Sequence, residues 1–400
     1  MSASTHDVVV VGAGIVGLTA AWRARCAGAD VVVLDPAPGD GATHAAAGML
    51  APVMEAGFGE EAHARLGTAS VALWPAYARE LEAAAGLASG AVGLDTSGTL
   101  AVAYDADDRA ALRRMLDLHA RWGLGSAEIG ADEARRREPG VGPRVTGAAW
   151  VPGDHRADPR AVHAALTAAV GPERVVRRGV ASLCWSGGRV TGAVDDRGDT
   201  HRAGTVVLAA GHASGLLFAG ARTRPVTGTT LRLLVDADRA PRVVVRGAVQ
   251  GRPVYAVPHP PRPDGSREVV VGATSDERGA DHLTRAGDVY ALLRDVRVLL
   301  PGLDEAVLAE TTTRARPGTP DNAPLIGWAA EGLYLATGHH RNGILLAPLT
   351  AAAVDHALGA RDAPSVAAAE AAARHADPLR YLTSAHPADQ TVGAGPGGTA

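Results

Sequence analysis

The stretch GHHRNGILLAP, residues 338–348, concentrates polar side chains in front of an aliphatic run. A glycine turn followed by an apolar run predicts a helix that begins near Gly343. The first N–H groups of a helix have no partners within it, so we expect this first turn to bind a ligand. His339 and His340 are adjacent, so they point in different directions, and they have no cysteine or carboxylate at ligand spacing. We therefore expect no metal site here.

The N-terminus places three glycines between a predicted strand and a predicted helix. DVVVVGAG is typical of a buried strand and a turn, IVGLTAAWRARCAG of a helix, and ADVVVLD of a second buried strand. Gly12, Gly14 and Gly17 have the G-x-G-x-x-G spacing of dinucleotide-binding proteins. Gly12 would permit the tight turn, Gly14 the close approach of the backbone to pyrophosphate, and Gly17 the packing of the helix against the strand. Asp35, which ends the second strand, can accept hydrogen bonds from a ribose. A dinucleotide site is predicted, but NAD and FAD share the half that this motif binds.

The next segment, PAPGDGATHAAAGMLAP, is long and consists mostly of small residues. Such a segment lets backbone N–H groups approach a flat ligand, and we interpret it as a loop along an isoalloxazine ring that Met49 faces. A flexible surface loop is the alternative. Farther on, TVVLAAG predicts a strand that returns to the first sheet and brings its end, at Gly211, near the cofactor. Upstream of it, residues 174–203 have the alternation and turns of a β-meander.

Composition limits the class of protein. The 400 residues suggest two or three domains, and the formal charge of -4, from 39 basic and 43 acidic residues without long blocks, implies neither nucleic acid nor an anionic membrane as a partner. The apolar N-terminal stretch is too short to cross a bilayer. Cys26 and Cys184 form no metal or disulfide pattern, which fits a reducing cytoplasm, and we expect both to be ordinary buried thiols.

Four segments together carry a resemblance to a known family: VVVVGAGIVG, HAAAGMLAP, RARPGTPDNAPLIG and ATGHHRNGILLAP. In this order and at these distances they resemble the glycine oxidase branch of the D-amino-acid oxidase family, the branch that serves thiamine biosynthesis. The resemblance spans roughly residues 7–360. It implies FAD, oxidative deamination of a small amine or amino acid by hydride transfer to flavin N5, and hydrogen peroxide as the oxygen product. A dehydrogenase that hands electrons to another acceptor has the same motifs and remains an alternative.

The resemblance also implies which residues contact FAD. Ile15 and Val16 would lie under the pyrophosphate, Asp35 and Pro36 at the ribose, and Val180 at the adenine edge. The loop along the flavin would comprise Ala42, Thr43, Ala47, Gly48 and Met49. The segment that closes over the flavin pyrimidine would comprise His339, His340, Arg341, Asn342, Gly343, Ile344 and Leu345. Neither cysteine lies where related sarcosine oxidases attach flavin, so noncovalent FAD is expected.

The positions of these segments predict the domain organisation. The fold class is α/β, α+β overall, with a Rossmann-type FAD-binding domain interleaved with an antiparallel-sheet substrate domain. The FAD-binding domain would comprise residues 1–88, 153–222 and 318–375, and the substrate domain residues 89–152 and 223–317. Residues 386–400 have the composition of a disordered tail. The sequence does not determine the oligomeric state, and a homo-oligomer is one of the options.

An amino acid substrate brings a carboxylate into a largely dry pocket, where a bidentate guanidinium is the usual partner. Arg316 and Arg341 compete for this task. By resemblance Arg316 makes the primary pair, Tyr255 donates a second hydrogen bond, and Arg341 adds positive field. Ser275 stands where glycine oxidases carry Met, and Pro253 precedes the tyrosine strand, so sarcosine and small D-amino acids compete with glycine as the substrate. The resemblance implies that the amine enters unprotonated and that the protein mainly orients the substrate, so no catalytic base is expected.

Overall fold

The computed structural model describes residues 3–358 and 374–381. The predicted tail at residues 386–400 lies outside these residues. Strands in chain order are β1 (Ala3–Val11), β2 (Val31–Leu34), β3 (Met49–Leu50), β4 (Thr99–Ala103), β5 (Ala127–Ile129), β6 (Gly147–Val151), β7 (His155–Arg156), β8 (Val175–Val176), β9 (Val180–Ser186), β10 (Arg189–Asp195), β11 (Thr200–Leu208), β12 (Arg224–Asp236), β13 (Val244–Val249), β14 (Arg252–Pro261), β15 (Ser266–Gly272), β16 (Val307–Gly318), β17 (Leu325–Ala330) and β18 (Leu333–Thr337).

The α-helices lie between these strands and vary from one turn to more than six. They are α1 (Ile15–Cys26), α2 (Ala42–Ala45), α3 (Glu61–Ala84), α4 (Ala106–Trp122), α5 (Ala131–Arg137), α6 (Pro159–Val170), α7 (Ser214–Leu217), α8 (Ala286–Leu299) and α9 (Ala347–Ala357). None of them, within the described part of the chain, has the length and hydropathy that a bilayer crossing requires.

The first sheet is the dinucleotide-binding type that the glycine motif predicts. Its order is β17-β18-β11-β1-β2-β8; the pairs from β18 to β8 are parallel, and β17 pairs antiparallel with β18 at the edge. The predicted meander is present as β9, β10 and β11, which pair antiparallel. Helices α1, α3, α6 and α9 contribute Leu18, Trp74, Leu166 and Leu349 to the core on one face. Parallel strands of this kind are buried on both faces, which explains the valine runs.

The second sheet has the order β16-β12-β15-β14-β13-β4-β6-β5. It is antiparallel except for β13 and β4, which run parallel. A parallel pair needs a long connection, and the chain supplies one here because it passes through the first sheet between these strands. Helix α8 packs on this sheet through Leu292, Val296 and Leu299. The two sheets therefore draw on alternating stretches of the chain, which is the interleaved fold that the sequence predicts.

Several local predictions differ from the structure. Helix α9 begins at Ala347 and not near Gly343, because Pro348 lacks an N–H group and fits only the first turn of a helix; residues before it form hydrogen-bonded turns. The proline-rich stretch PHPP at residues 258–261 predicts an exposed turn for His259, but His259 is buried in β14. The cysteines are not buried: Cys26 is exposed and Cys184 half-buried.

Candidate functional site

A cavity of about 670 Å³ lies between the two sheets. Its walls come from the glycine turn after β1, the small-residue loop after β2, the face of the second sheet, and residues 339–344 before α9. The residues that we expected at the cofactor and at the substrate line it, apart from Gly17 and Leu345. Gly17 instead permits close packing, since a Cβ there would overlap the Gly12 carbonyl. Leu345 is buried, and its carbonyl accepts hydrogen bonds from Ser70 and Trp74.

The glycine turn presents backbone to the cavity. Gly12 has a φ of 107°, and a Cβ there would overlap the Ala209 carbonyl. At Gly14 an added Cβ would meet only Thr43 Oγ1, at 3.5 Å. Thr43 Oγ1 accepts a hydrogen bond from Ile15 N at 3.1 Å, which fixes the small-residue loop to the start of α1. A ligand with phosphate groups fits this turn, because the N-terminal, positive end of α1 faces the cavity here.

Asp35 occupies the end of β2, as predicted, and is held by backbone. Its Oδ2 accepts a hydrogen bond from Ala13 N at 2.7 Å, and its Oδ1 accepts one from Ala37 N at 2.8 Å. Each carboxylate oxygen can accept more than one hydrogen bond, so ribose hydroxyls can still bind. The carboxylate thus joins the glycine turn to the loop that follows β2.

The small-residue loop is ordered by contacts with the second sheet. The carbonyl of Ala45 accepts a hydrogen bond from Thr230 Oγ1 at 3.0 Å, and the Ala47 carbonyl lies 3.2 Å from His259 Nε2. Gly48 has a φ of 90°, and a Cβ there would overlap the Ala157 carbonyl. Met49 follows in β3 and lines the cavity. This anchoring explains why His259 is buried and excludes the alternative of a loose surface loop.

The histidines before α9 are neutral. Burial lowers the pKa of His339 to about 4, and Nε2 of this buried side chain lies 3.0 Å from Thr350 Oγ1. Thr350 Oγ1 donates to the Leu346 carbonyl, so it accepts from His339. Burial, together with Arg341 and Arg316, lowers the pKa of His340 to about 3. Within the described residues, no cluster of three or more His, Cys, Asp or Glu side chains could hold a metal ion.

The far end of the cavity carries Arg316 and Tyr255 on the face of the second sheet. A Cβ on Gly228 would overlap the Arg316 guanidinium, and a Cβ on Gly272 would overlap the Tyr255 hydroxyl. Because Gly228 lies in β12 and Gly272 in β15, which are neighbours, the two polar groups reach over adjacent strands. Burial lowers the pKa of Arg316 and raises that of Tyr255, so the phenol remains a hydrogen-bond donor. Arg316 Nη1 donates to the Thr274 carbonyl at 3.3 Å.

Two charged residues that we had not predicted complete this end. Arg246, in β13, is paired directly with Tyr255 in β14, so both side chains lie on the same face. Its Nη1 donates to Glu55 Oε1 at 2.7 Å, and Arg341 Nη1 lies 3.2 Å from Glu55 Oε2. The sequence did contain a signal for Arg246. It is an arginine within an apolar strand, and it lies on the same face as Tyr255 of the next strand in the hairpin. Glu55 offered none, because 191 residues separate it from Arg246.

Comparison with known proteins agrees with this geometry. The chain is 34% identical over 361 residues to a protein named "Bifunctional protein ThiO/ThiG" from Trichormus variabilis, a match that covers 88% of this chain and 52% of that protein. It therefore spans about half the length of such relatives. It is 30% identical to the glycine oxidase of Bacillus licheniformis, covering 86% of this chain and 90% of the relative.

A solved structure and a family model give the same result. The crystal structure of glycine oxidase from Geobacillus kaustophilus superposes with a TM-score of 0.75 at 28% identity, covering 90% of this chain and 96% of the other. The family model described as FAD dependent oxidoreductase, DAO, matches residues 7–357. The glycine turn, the Asp35 carboxylate and the ordered small-residue loop suit the cofactor in that description. The chain belongs to this family of FAD-dependent oxidoreductases.

Proposed function

We propose that the protein catalyses the oxidative deamination of a small α-amino acid, with glycine as the first candidate and sarcosine or small D-amino acids as competitors. Glycine, oxygen and water would yield glyoxylate, ammonia and hydrogen peroxide by way of the imine. FAD, when bound, takes up the two electrons removed from the substrate and passes them to oxygen. The protein binds the substrate, orients it and excludes water.

A half-buried arginine without an acidic partner carries this proposal. Among the described residues that line the cavity, three arginines pair with carboxylates: Arg246 and Arg341 with Glu55, and Arg314 with Asp40. Arg316 forms no ion pair with any carboxylate of the described residues, and its one hydrogen bond goes to a carbonyl. A buried cation is costly unless an anion compensates it. The α-carboxylate of an amino acid supplies that anion, with the Tyr255 hydroxyl as a second donor.

Placement of the substrate needs no protein base. His339 and His340 are neutral and carry low pKa values, so neither adds charge near the substrate. The carboxylate at Arg316 fixes one end of the molecule, which converts a loose encounter into a defined orientation. Pro253 and Ser275 both line the cavity, as expected, and their small size leaves room for a substituent on the amine or the α-carbon.

Similarity to proteins named glycine oxidase and to a protein named ThiO/ThiG supports this substrate class and a place in thiamine biosynthesis. We infer that the imine or glyoxylate serves a thiazole-forming partner. We also propose a cytoplasmic location, domain boundaries near residues 88, 152, 222 and 317, and noncovalent FAD.

Peroxide release tests the proposal. Purified protein, reconstituted with FAD, is mixed in air with glycine, sarcosine, D-alanine, or ethylamine, which has no carboxylate. The expected result is hydrogen peroxide from one or more of the amino acids and little from ethylamine. Substrate-dependent reduction of a dye without peroxide would favour a dehydrogenase with another acceptor. No bleaching of the flavin by any amino acid under anaerobic conditions would contradict the proposal.

A further inference from the structure

Glu55 lies at the end of the cavity that carries Arg246, Arg316 and Arg341, which we call the arginine end. Its side chain is almost enclosed. It follows β3 and precedes α3, and its side chain is 13% exposed. Arg246 reaches it from the second sheet and Arg341 from the segment before α9. Glu55, Tyr255 and Arg316 line the same cavity, and Arg246, which pairs with Glu55, lies directly opposite Tyr255 across β13 and β14. Glu55 therefore lies beside the proposed carboxylate clamp.

One oxygen of this carboxylate lacks a hydrogen bond. Oε1 accepts from Arg246, but Oε2 is buried and accepts no hydrogen bond from the described residues. Arg341 Nη1 is 3.2 Å from Oε2, close enough for an ion pair but without hydrogen-bonding alignment. Buried carboxylate oxygens in proteins almost always accept hydrogen bonds, so an unmatched one beside a ligand cavity is available to a donor on the ligand.

The carboxylate is held ionised and in a fixed position. Burial alone would raise the pKa of Glu55, but Arg246 and Arg341 outweigh burial and bring the pKa below its ordinary value. The backbone just before Glu55 is fixed by Asp154, a fully buried residue whose carboxylate accepts hydrogen bonds from Val53 N at 3.0 Å and Met54 N at 3.1 Å. A fixed anion at a known place is a recognition group for a cation or a donor.

The other acidic groups along the cavity are committed elsewhere. Among the described lining residues these are Asp35 and Asp40. Asp35 accepts backbone hydrogen bonds at the glycine turn, and Asp40 pairs with Arg314 at 2.5 Å. Glu55 is thus the carboxylate that shares the arginine end with Arg316.

We propose that Glu55 binds the amino group of the substrate, so that an amino acid is held at both ends: the carboxylate by Arg316 and Tyr255, and the amine by Glu55 Oε2. This assignment rests on the proposed function and adds a specificity determinant to it. An amino acid satisfies both Arg316 and the unmatched oxygen. A hydroxy acid or a simple carboxylate satisfies the arginine but offers Glu55 Oε2 no amine N–H and at best a single hydroxyl donor.

The test compares two probes that differ in the amine. Glycine is titrated under anaerobic conditions, and its apparent Kd is taken from the concentration dependence of flavin bleaching. Glycolate, which carries a hydroxyl in place of the amine, is titrated by the change that it causes in the flavin absorbance spectrum. In Glu55→Gln we expect the apparent Kd for glycine to rise at least about 10-fold, as for loss of a charge-assisted hydrogen bond. Glycolate should bind as well or more tightly, because the substitution removes a negative charge near its carboxylate.

Two variants serve as controls. Glu55→Asp retains the charge one methylene shorter and should keep a glycine Kd between those of the wild type and Glu55→Gln. Glu277→Gln removes an exposed carboxylate that pairs with Arg224 outside the cavity, and both probes should bind it as they bind the wild type.

Opposite responses of the two probes are the decisive feature, since a general disturbance of the site would weaken both. Equal weakening of glycine and glycolate in Glu55→Gln, or an unchanged glycine Kd, would overturn the assignment. Failure of the wild type to be bleached by any amino acid while it still binds glycolate would instead count against the proposed function.

Discussion

Replacing Arg316 with alanine tests the carboxylate clamp directly. Arg316 is half-buried, its guanidinium lies over Gly228 and beside Tyr255, and it has no carboxylate partner among the described residues. Removing one partner of a buried charge pair costs about 2 to 5 kcal/mol, so kcat/KM for glycine should fall by roughly 30-fold to several thousand-fold. The cost has this size because the substrate carboxylate would then enter a dry pocket without a counterion.

Substitutions of two neighbouring residues, Arg341 and Tyr255, should lower kcat/KM for glycine less than Arg316→Ala does. Arg341 is 53% exposed and already shares Glu55, so water can replace much of what it supplies, and Arg341→Ala should cost less than Arg316→Ala. Tyr255→Phe removes one hydrogen bond from a neutral donor and should cost about 1 kcal/mol.

Steady-state peroxide release from glycine and from ethylamine, which has no carboxylate, provides the assay. The ratio of kcat/KM for glycine to kcat/KM for ethylamine should fall sharply in Arg316→Ala. The FAD content, measured by flavin absorbance, should match that of the wild type. Added guanidinium chloride should restore part of the glycine activity, because a free guanidinium ion can occupy the space that the Arg316 side chain leaves. An Arg316→Ala enzyme with near-normal kcat/KM for glycine would refute the clamp.

Three further predictions concern the cofactor and its surroundings. Gly14→Val should lower FAD occupancy with little change in apoprotein Tm, because an added Cβ meets no protein atom closer than 3.5 Å; full FAD content would contradict this. Acid should release all yellow colour from the precipitated chain, since noncovalent FAD has no bond to retain it. The pKa of buried His339, about 4, lies below its unfolded value of about 6.5. Its contribution of about 3 kcal/mol is present above pH 6.5 and lost as pH falls toward 4, so urea unfolding of His339→Gln should depend less on pH in that window.

Features set by residues that are close in the sequence could be predicted, whereas contacts between distant segments could not. The β1–α1–β2 unit was predictable because valine runs and glycine spacing act within about 30 residues. The start of α9 was misplaced because Pro348 imposes a rule that hydrophobic periodicity does not contain. The Arg246–Glu55 pair could not be found, since it depends on how β13 and the loop after β3 meet in space. Burial of His259 has the same origin: its partner Ala47 is 212 residues away.

Two glycines explain how the face of the second sheet makes room for the side chains of the proposed carboxylate clamp. Side chains on neighbouring strands normally stand side by side and fill the space above the sheet. At Gly228 and Gly272 that space is free, so Arg316 and Tyr255 can lie across it and converge above β12 and β15. Neither glycine has a positive φ, so backbone conformation alone does not require glycine at these positions. The requirement comes from the two polar side chains, whose meeting point depends on the missing Cβ atoms as much as on the residues that meet there.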